Sequence, residues 1–366
     1  MLTSLPDPAP GTVRRTLSLE IDPDLDWNAG LRITAFARDL LIGAGGAAGT
    51  PDGASVPGGS AVLRSARMGV TIDTASRVTG IESALPGAVT EPLIGAVAGS
   101  GFRARLADLD ELDPLSLESA VLDELPTVRL ISGYARMIEL VELTGTDGVA
   151  TAAQAAEAVG SPGATALRPL RMRRSPMVGI CAGWAPGATA DTRVRAGLPI
   201  MNGTPPAPAL ASMTPYFHPE PDPRPRSMRR RRILDATARD GGYEVFEYYR
   251  DSHFDAGLRE GALHEYEVQA RVAPAEGRAA QGDTAGGYTL ERVDVTPHAL
   301  PFGECPLAAP NAADLTGALL GDITATVKER LAGTRSCTHL NDTLRFLRYV
   351  PAVTGYLPGD NDAEAR

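Results

Sequence analysis

The sequence predicts an α+β protein with an internal duplication, in which two pseudo-symmetric halves each contain an antiparallel sheet packed by helices. The first observation is that segments with strand-like alternation precede segments with helical periodicity. The second is that this order of segments occurs twice along the chain. The third is size, because 366 residues with 43% hydrophobic side chains can bury one large core or two moderate cores.

These observations divide the chain into four parts. Residues 1–143 are expected to form the first α+β repeat, and residues 227–357 the second. Residues 144–226 are rich in Pro, Gly and Ala, and we expect them to connect the repeats and to cover a site, with one helix at residues 150–159. Residues 358–366 are expected to form a flexible tail.

The first half opens with strand-like segments bounded by Gly, Pro or Asp, at residues 12–21, 31–42, 61–73 and 77–83. Helical patterns follow at residues 92–106 and 115–125, and the last apolar segment, residues 127–143, is either a helix or a strand followed by a helix. Alternation in the third strand places one set of side chains on a single buried face, namely Arg64, Ala66, Met68, Val70 and Ile72.

The second half repeats this order. Arg250 and Asp251 stand where the first half has Arg38 and Asp39. Five such matches occur in the same order in the two halves. Chance could supply any one of them, but five in order favour an internal duplication. The segments that correspond to the first three strands are residues 229–236, 243–252 and 262–273.

Composition excludes some classes of function. The net charge of −10 argues against a nucleic-acid surface, and the basic run of residues 229–232 is better explained as the start of a strand. No apolar run approaches the roughly 18–20 residues that span a bilayer, and the first residues lack the pattern of a signal peptide. We therefore expect a cytoplasmic protein with a small-molecule partner, no nucleic-acid or membrane partner, and a homodimer as an open assembly state.

Reactive side chains are concentrated after residue 180. An odd number of cysteines without a secretion signal favours free thiols, metal ligands or a nucleophile over a disulfide framework. A free cysteine can also be an ordinary core residue. The side chains concerned are Cys181, Cys305, Cys337, His218, His253, His264, His298 and His339.

The third strand of the second half carries a histidine that the first half lacks. Strand alternation places His264 and Tyr266 on the apolar face, whereas Glu265 points to the opposite face. A core-facing histidine can be a functional group or a hydrogen-bonded structural one. Both interpretations of His264 stay open.

A second cysteine lies between a predicted strand and a predicted helix at residues 308–331. Pro306 keeps Cys305 extended, and the positive end of the helix dipole is expected to lower the pKa of Cys305. The alternative is a buried cysteine next to Glu304 as a capping residue.

The densest cluster of reactive side chains along the sequence lies in residues 333–344, GTRSCTHLNDTL. Ser336 or Thr338 is expected to cap the last helix, with Cys337 in its non-helical lead-in. From that position Cys337 can meet His339 at one atom. The first half has neither a thiol nor an imidazole in the segment that we align with it, around Ile131.

Asp342 lies three residues after His339 on the same predicted helix. At that spacing its carboxylate can pair with His339 and fix the tautomer of the imidazole. Trp184, next to Cys181 in the central segment, is expected to belong to an ordered cover over the site.

These residues define the candidate site. The sequence leaves the cofactor open, and one zinc or iron ion is the candidate, with Cys305, Cys337, His264 and His339 as its candidate ligands. The candidates for catalysis are Cys337, His339, His264, Glu304 and Asp342, with further candidates Glu265, Tyr266, Arg250, Asp251, Cys181 and Trp184. The predicted function is an enzyme acting on a small organic molecule by acid–base, thiolate or metal-assisted chemistry, of lyase, isomerase or hydrolase type. The alternative is a non-catalytic binding or carrier protein.

The chain resembles a bacterial family catalogued as domain of unknown function 2889, over nearly its whole length. The family implies no activity. One departure is Phe217, where the family pattern has a tryptophan before His218. The residues that carry the resemblance are Arg250 to His253, His264 to Tyr266, Leu300-Pro301, Glu304 to Pro306, Gly333-Thr334, Cys337 to Asp342, Arg14-Arg15, Ala37 to Asp39, Gly101 to Arg103 and Cys181 to Trp184.

A second likeness is topological. A cysteine at a strand–helix junction and a cysteine that opens the last helix are similar to the order in iron–sulfur cluster scaffold proteins. Only Cys305 and Cys337 match, and the first cysteine motif of those scaffolds is missing. This likeness leaves metal binding open as a function and does not extend to cluster assembly.

Overall fold

The computed structural model describes residues 4–23, 30–43, 59–144, 177–196, 198, 200, 207, 216–275 and 287–357. The predicted helix at residues 150–159 and the predicted tail at residues 358–366 lie outside this range, as does much of the predicted connection at residues 144–226.

The eight strands in the described residues belong to one antiparallel sheet, with the order β4-β3-β2-β1-β5-β6-β7-β8. The two predicted sheets are therefore one continuous sheet, because β1 pairs with β5 at its centre. The α+β class is confirmed. The strands are β1 (Val13–Pro23), β2 (Leu31–Leu41), β3 (Ala61–Ile72), β4 (Val78–Glu82), β5 (Met228–Arg239), β6 (Gly242–Phe254), β7 (Glu260–Pro274) and β8 (Tyr288–Ala299).

Helices cover one face of this sheet. The predicted helices at residues 115–125 and 127–143 are one helix, which continues through Pro126. The helices are α1 (Gly87–Thr90), α2 (Phe102–Ala107), α3 (Leu117–Thr144), α4 (Thr189–Arg195), α5 (Ile323–Arg330), α6 (Thr338–Phe346) and α7 (Val350–Thr354). Among the described residues, no helix is both long enough and apolar enough to cross a membrane.

The helix predicted at residues 308–331 is broken. Its first part is the 3₁₀ helix Cys305–Leu315, and α5 begins only after a turn. Pro310 lies inside the 3₁₀ helix, and Gly317 has a φ of 85° that suits glycine and ends the segment. Residues 92–106 are broken in the same way, since only α2 is α-helical in their second part.

The predicted burial of the third strands is confirmed in part, because Arg64 on β3 is exposed and Ala66 is half-buried, whereas the rest of the predicted face is buried. Met68 and Val70 on β3, and Tyr266 and Val268 on β7, are buried against the helices. The opposite face is polar at its centre, where Arg14 pairs with Asp235 through two hydrogen bonds of 2.7 Å. Both faces of the central strands are therefore shielded from solvent, one by an apolar core and the other by ion pairs.

The arginine run of residues 229–232 lies at the start of β5, as predicted. Alternation directs Arg230 and Arg232 to the helix side, and Arg229 and Arg231 to the other side. All four are buried and ion-paired with acidic side chains. The run is consequently part of the interior and brings two guanidinium groups beneath the helices.

Candidate functional site

Cys337 occupies the N-cap of α6. Its φ of −124° and ψ of 132° are extended, so Cys337 lies in the non-helical lead-in, as expected. The N-cap residue is Cys337 itself rather than Ser336 or Thr338. Its carbonyl oxygen accepts the first helical hydrogen bond, from Asn341 N–H at 2.8 Å. The sulfur is thus placed at the positive end of the helix dipole.

Hydrogen-bond donors converge on this sulfur. The hydroxyl of Tyr266 donates to Cys337 Sγ at 3.2 Å. The hydrogen bond from Cys305 is the largest cause that holds the pKa of Cys337 well below its ordinary value, with further contributions from His339 and Tyr266, and together these outweigh burial. Cys337 is therefore the thiolate of the pair.

The prediction of a lowered pKa for Cys305 is wrong. Its hydrogen bond to Cys337 is the first cause, and burial the second, that raise the pKa of Cys305 far above its ordinary value. Cys305 keeps its proton because it donates that proton to the neighbouring thiolate.

A β-bulge in β7 aims His264 at β6. The register between β6 and β7 shifts immediately after the pair Asp251 and His264. His264 Nδ1 lies 3.2 Å from Asp251 Oδ2, and both side chains are buried. Burial, and then the neighbouring His339, lowers the pKa of His264 to about 4. His264 is therefore neutral at pH 7 and donates its Nδ1–H to the carboxylate.

Asp251 stays ionised although it is fully buried. Burial alone would raise the pKa of Asp251, but Arg230 and His264 outweigh burial and hold that pKa well below its ordinary value. Arg230 donates to Oδ1 at 2.8 Å and to Oδ2 at 3.1 Å. The Tyr249 hydroxyl also donates to Oδ2. This carboxylate is thus fixed in one orientation next to the imidazole.

His339 lies directly over His264. The two ring centroids are 3.4 Å apart with an interplanar angle of 19°, which joins α6 to β7. One ligand atom each from Asp251, His264 and His339 lies within 4.8 Å of the others. The structure therefore brings His264, His339, Cys337 and Cys305 together, and adds Asp251 to them.

Asp342 faces the arginines beneath α6. Arg103, Arg230 and Arg232 donate to its carboxylate at 2.7, 3.1 and 2.9 Å. Burial opposes ionisation, but these three guanidinium groups lower the pKa of Asp342 to about 2. Glu124 from α3 accepts a hydrogen bond of 2.5 Å from Arg230 in the same layer. Asp342 therefore ties α6 to β5 and to α2.

Three candidates lie away from the cluster. Glu304 accepts hydrogen bonds of 2.9 Å from the backbone N–H and the hydroxyl of Thr189, near the surface. Glu265 lies on the opposite face, as predicted, where Tyr248 donates to it at 2.8 Å and Arg250 Nε lies 3.4 Å away. The cluster therefore includes neither Glu304, Glu265 nor Arg250.

Part of the central segment covers the cysteines. Ala182 N–H donates to the Ser336 carbonyl at 2.7 Å, and Trp184 is buried beside it. A Cβ atom on Gly183 would lie only 2.8 Å from Cys305 Sγ, so glycine permits this close approach. Burial, and then the nearby Cys337, raises the pKa of Cys181. The covering loop thus contributes Cys181 to a group of three buried thiols that also includes Cys305 and Cys337.

Sequence reasoning did not find all of the supporting residues. Arg230 was noted only within a basic run, although alternate spacing in a strand was the available signal for its inward direction. Tyr249 precedes the candidate pair Arg250 and Asp251 and was also missed. Glu124 comes from the first half of the chain, and no local pattern marks it.

Comparison with known proteins gives a family without an assigned activity. Residues 228–352 match the family model described as "Protein of unknown function (DUF2889)". The resemblance is therefore confirmed for β5 to β8, for α5 and α6, and for the cluster between them. The match does not extend to the first half, although we expected the likeness to span nearly the whole chain. No curated protein and no solved structure shows a significant match to the chain.

Proposed function

We propose that this protein is an enzyme that acts on a small organic molecule and uses a divalent transition-metal ion bound at Asp251, His264 and His339, next to the thiolate of Cys337. The observation that carries this proposal is the convergence of three ligand atoms within 4.8 Å in a buried layer. Two imidazoles and a carboxylate are a donor set that suits zinc and ferrous iron.

The neutral state of His264 supports this proposal. A metal ion needs an imidazole lone pair, and a neutral histidine that donates from Nδ1 offers Nε2 as its ligand atom. The rings of His264 and His339 are nearly parallel, so their nitrogen lone pairs lie in two nearly parallel planes. Binding one ion through both imidazoles therefore requires the two ring planes to tilt towards each other.

The chemistry would combine a Lewis acid with a nucleophile. A bound divalent ion polarises a carbonyl or lowers the pKa of a bound water. Cys337 stands beside His339, and Tyr266 is within hydrogen-bonding distance of the same sulfur. A lyase, isomerase or hydrolase step needs such a set of an electrophilic centre, a base and a proton donor.

Metal content of the untagged full-length protein is the first test. We expect near-stoichiometric zinc or iron in the purified protein, and its loss in His264→Ala and in His339→Ala. His298→Ala is the matched control, because His298 lies on the edge strand β8 and contacts Glu267 at 3.3 Å outside the cluster. A wild-type protein that binds no divalent transition metal overturns the metal-dependent proposal.

Turnover is tested separately from binding. The metal-loaded protein is incubated with an extract of small metabolites, and depletion of any component is followed by mass spectrometry against chelated protein. Depletion that requires both the metal and Cys337 supports an enzyme. Stoichiometric metal with no depletion of any metabolite supports a non-catalytic metal-binding protein instead.

A second candidate function is a small-molecule carrier. It is favoured by a cleft on the opposite face of the sheet, between β1, β2 and the segment before β5. Phe36 and Arg67 line one part of it, with the guanidinium group 5.3 Å from the ring centroid, and Arg32 lines another. A ligand bound there without conversion would support the carrier function, and Arg67→Ala would weaken its binding.

We also infer that the two halves of the chain arose by internal duplication. What supports this is a shared arrangement of ion pairs. Arg15 donates to both oxygens of Asp39 at 2.8 and 2.9 Å, and the two residues are directly opposite each other on β1 and β2. Arg230 donates to both oxygens of Asp251 in the same way, from the directly opposite position on β5 and β6. A register shift follows Asp39 with β3 and follows Asp251 with β7.

If the halves are duplicates, each residue of the candidate site can be compared with its counterpart in the first half. Arg64 takes the place of His264 in the paired strand. Ser116 precedes α3 and accepts a hydrogen bond of 3.0 Å from Ser119 N–H, in the position that Cys337 has before α6. Ser116, rather than the segment around Ile131, is thus the counterpart of Cys337. The shared ion pair is consistent with a structural role, and the residues that differ are the ones we assign to function.

A further inference from the structure

We propose that the cleft on the face of the sheet opposite the helices binds a small organic anion with one carboxylate group, and that Arg32 and Arg67 bind this carboxylate. The inference rests on the cleft that favours the carrier function, and it deepens that function because it names the chemical class of the ligand. It does not depend on the proposed metal site, since Asp251, His264 and His339 meet beneath α6 on the other face.

The floor of the cleft is made by three neighbouring strands. Its volume is about 210 Å³, which suits a small ligand. Phe36 on β2 and Arg67 on β3 are directly opposite each other, and both line the cleft. Arg32 lies four residues before Phe36 on β2, so strand alternation places it on the same face. The two arginines therefore start about 13 Å apart along the sheet, a span over which two long side chains can converge on one carboxylate.

The acidic side chains of the cleft are mostly neutralised by other arginines. Glu20 forms an ion pair with Arg229, and Asp22 forms one with Arg224. Burial raises the pKa of Glu20 to about 7, against the opposing effect of Arg229, so Glu20 carries less than a full negative charge at neutral pH. Asp222 is the acidic side chain that remains in the lining.

Arg32 and Arg67 supply the positive charge of the cleft. Both are exposed, and neither forms an ion pair with an acidic side chain within the part of the chain that the structure describes. Guanidinium groups stay protonated in proteins, so with Asp222 the balance is one positive charge in excess. A monocarboxylate neutralises that excess, whereas a phosphate monoester, with a charge of about −1.5 to −2 at pH 7, exceeds it.

Arg67 is arranged to bind a carboxylate. Its guanidinium carbon lies over the ring of Phe36, 5.3 Å from the ring centroid. A guanidinium group that stacks on a ring keeps its in-plane N–H groups available, and their planar fork matches the two oxygens of a carboxylate. Phe36 is half-buried, so the exposed part of its ring can contact an apolar part of the ligand. The ligand is therefore a monocarboxylate with a small apolar body.

Calorimetric titration of the full-length protein with three matched probes tests this ligand class. Benzoate carries one carboxylate, benzamide is its neutral counterpart, and phenyl phosphate carries the larger charge. We expect the wild type to bind one benzoate, and to bind it more tightly than either other probe. Arg32→Gln and Arg67→Gln should each weaken benzoate binding about 10-fold or more, because each removes a charged hydrogen-bond donor. Arg292→Gln, the matched control, removes an exposed arginine from β8 and should leave benzoate binding unchanged.

The outcomes separate the ligand class from the carrier function. No benzoate binding to the wild type, or unchanged binding in both glutamine variants at the cleft, overturns the proposal. Equal binding of benzamide overturns the preference for an anion, yet a bound neutral ligand leaves the carrier function standing. Tighter binding of phenyl phosphate overturns the choice of a carboxylate. If a glutamine variant fails to fold, as its melting curve would show, the comparison of benzoate with benzamide on the wild type decides.

Discussion

The hydroxyl of Tyr266 donates a hydrogen bond of 3.2 Å to the sulfur of Cys337, which links the middle of β7 to the N-cap residue of α6. This contact is one of the causes that lower the pKa of Cys337. It connects the sheet to the helix through the reactive atom itself, and it can be removed without changing the shape of the core.

Removing this hydrogen bond should raise the pKa of Cys337. In Tyr266→Phe the thiolate loses one donor, so its titration moves to higher pH, with a loss of about 1 kcal/mol in the free energy of unfolding. The thiolate absorbance of metal-free protein, followed against pH, measures the shift. Tyr243→Phe, at a ring contact with Tyr288 away from the cysteines, is the control. An unchanged titration in Tyr266→Phe would contradict the assigned role.

Arg230 should be the most costly single arginine to replace. Arg230→Met leaves Asp251, Glu124 and Asp342 buried with less compensation, and such losses cost about 3–5 kcal/mol. Urea unfolding of both proteins measures the difference. Arg292→Met, with 56% of its side chain exposed, should change stability by less than about 0.5 kcal/mol. Equal losses in the free energy of unfolding from the two substitutions would show that the buried ion pairs of Arg230 do not stabilise the fold more than a surface ion pair does.

Acid should destabilise the fold through buried neutral histidines. Burial lowers the pKa of His253 to about 4, below the roughly 6.5 of an unfolded histidine. Between these values the unfolded chain binds a proton that the folded chain does not, so the free energy of unfolding falls as pH falls from about 6.5 to 4. Burial also keeps the pKa of His218 well below its ordinary value, and its contribution has the same sign.

Substitution separates this contribution from other acid effects. His253→Asn should make the free energy of unfolding less dependent on pH between pH 6.5 and 4, as measured by urea unfolding at several pH values. The same pH dependence in His253→Asn and in the wild type would rule out this cause.

Gly183 should be intolerant of a side chain. A Cβ atom there would lie 2.8 Å from Cys305 Sγ and 2.8 Å from the Phe302 ring, so the covering loop must move. Gly183→Ala should cost about 1–3 kcal/mol and make Cys305 react faster with an alkylating reagent. Gly303→Ala is the matched control, because its Cβ would meet nothing within 4 Å. Slow alkylation in Gly183→Ala would show that the loop does not shield the thiol.

The parts of the fold that depend on local pattern could be predicted from the sequence. The inward faces of β3 and β7, and the outward direction of Glu265, follow from alternation along one strand. The continuous helix predicted at residues 308–331 is wrong, since its first part is a 3₁₀ helix. Composition alone does not reveal the 3₁₀ geometry that Pro310 and the following turn impose. The pairing of β1 with β5, which joins the two predicted sheets into one, also could not be predicted from a local sequence pattern.

The candidate site shows the same limit. Cys337 and His339 are visible as a cluster because they are close in the sequence, and His264 is visible through comparison of the halves. The contribution of Glu124 to the arginine layer joins residues that are 106 positions apart in the sequence. Only tertiary packing decides such contacts, and a single sequence carries no record of them.

The pairing of β1 with β5 has a consequence for how the molecule assembles. Arg14 and Asp235 meet across this seam although they are 221 positions apart in the sequence, whereas every other strand pair joins neighbours along the chain. Contacts of such high sequence separation form slowly, so the seam should close after the two meanders. A chain cut within the connecting segment would turn the seam into an interface between two fragments, and complementation of those fragments would restore the sheet by strand addition.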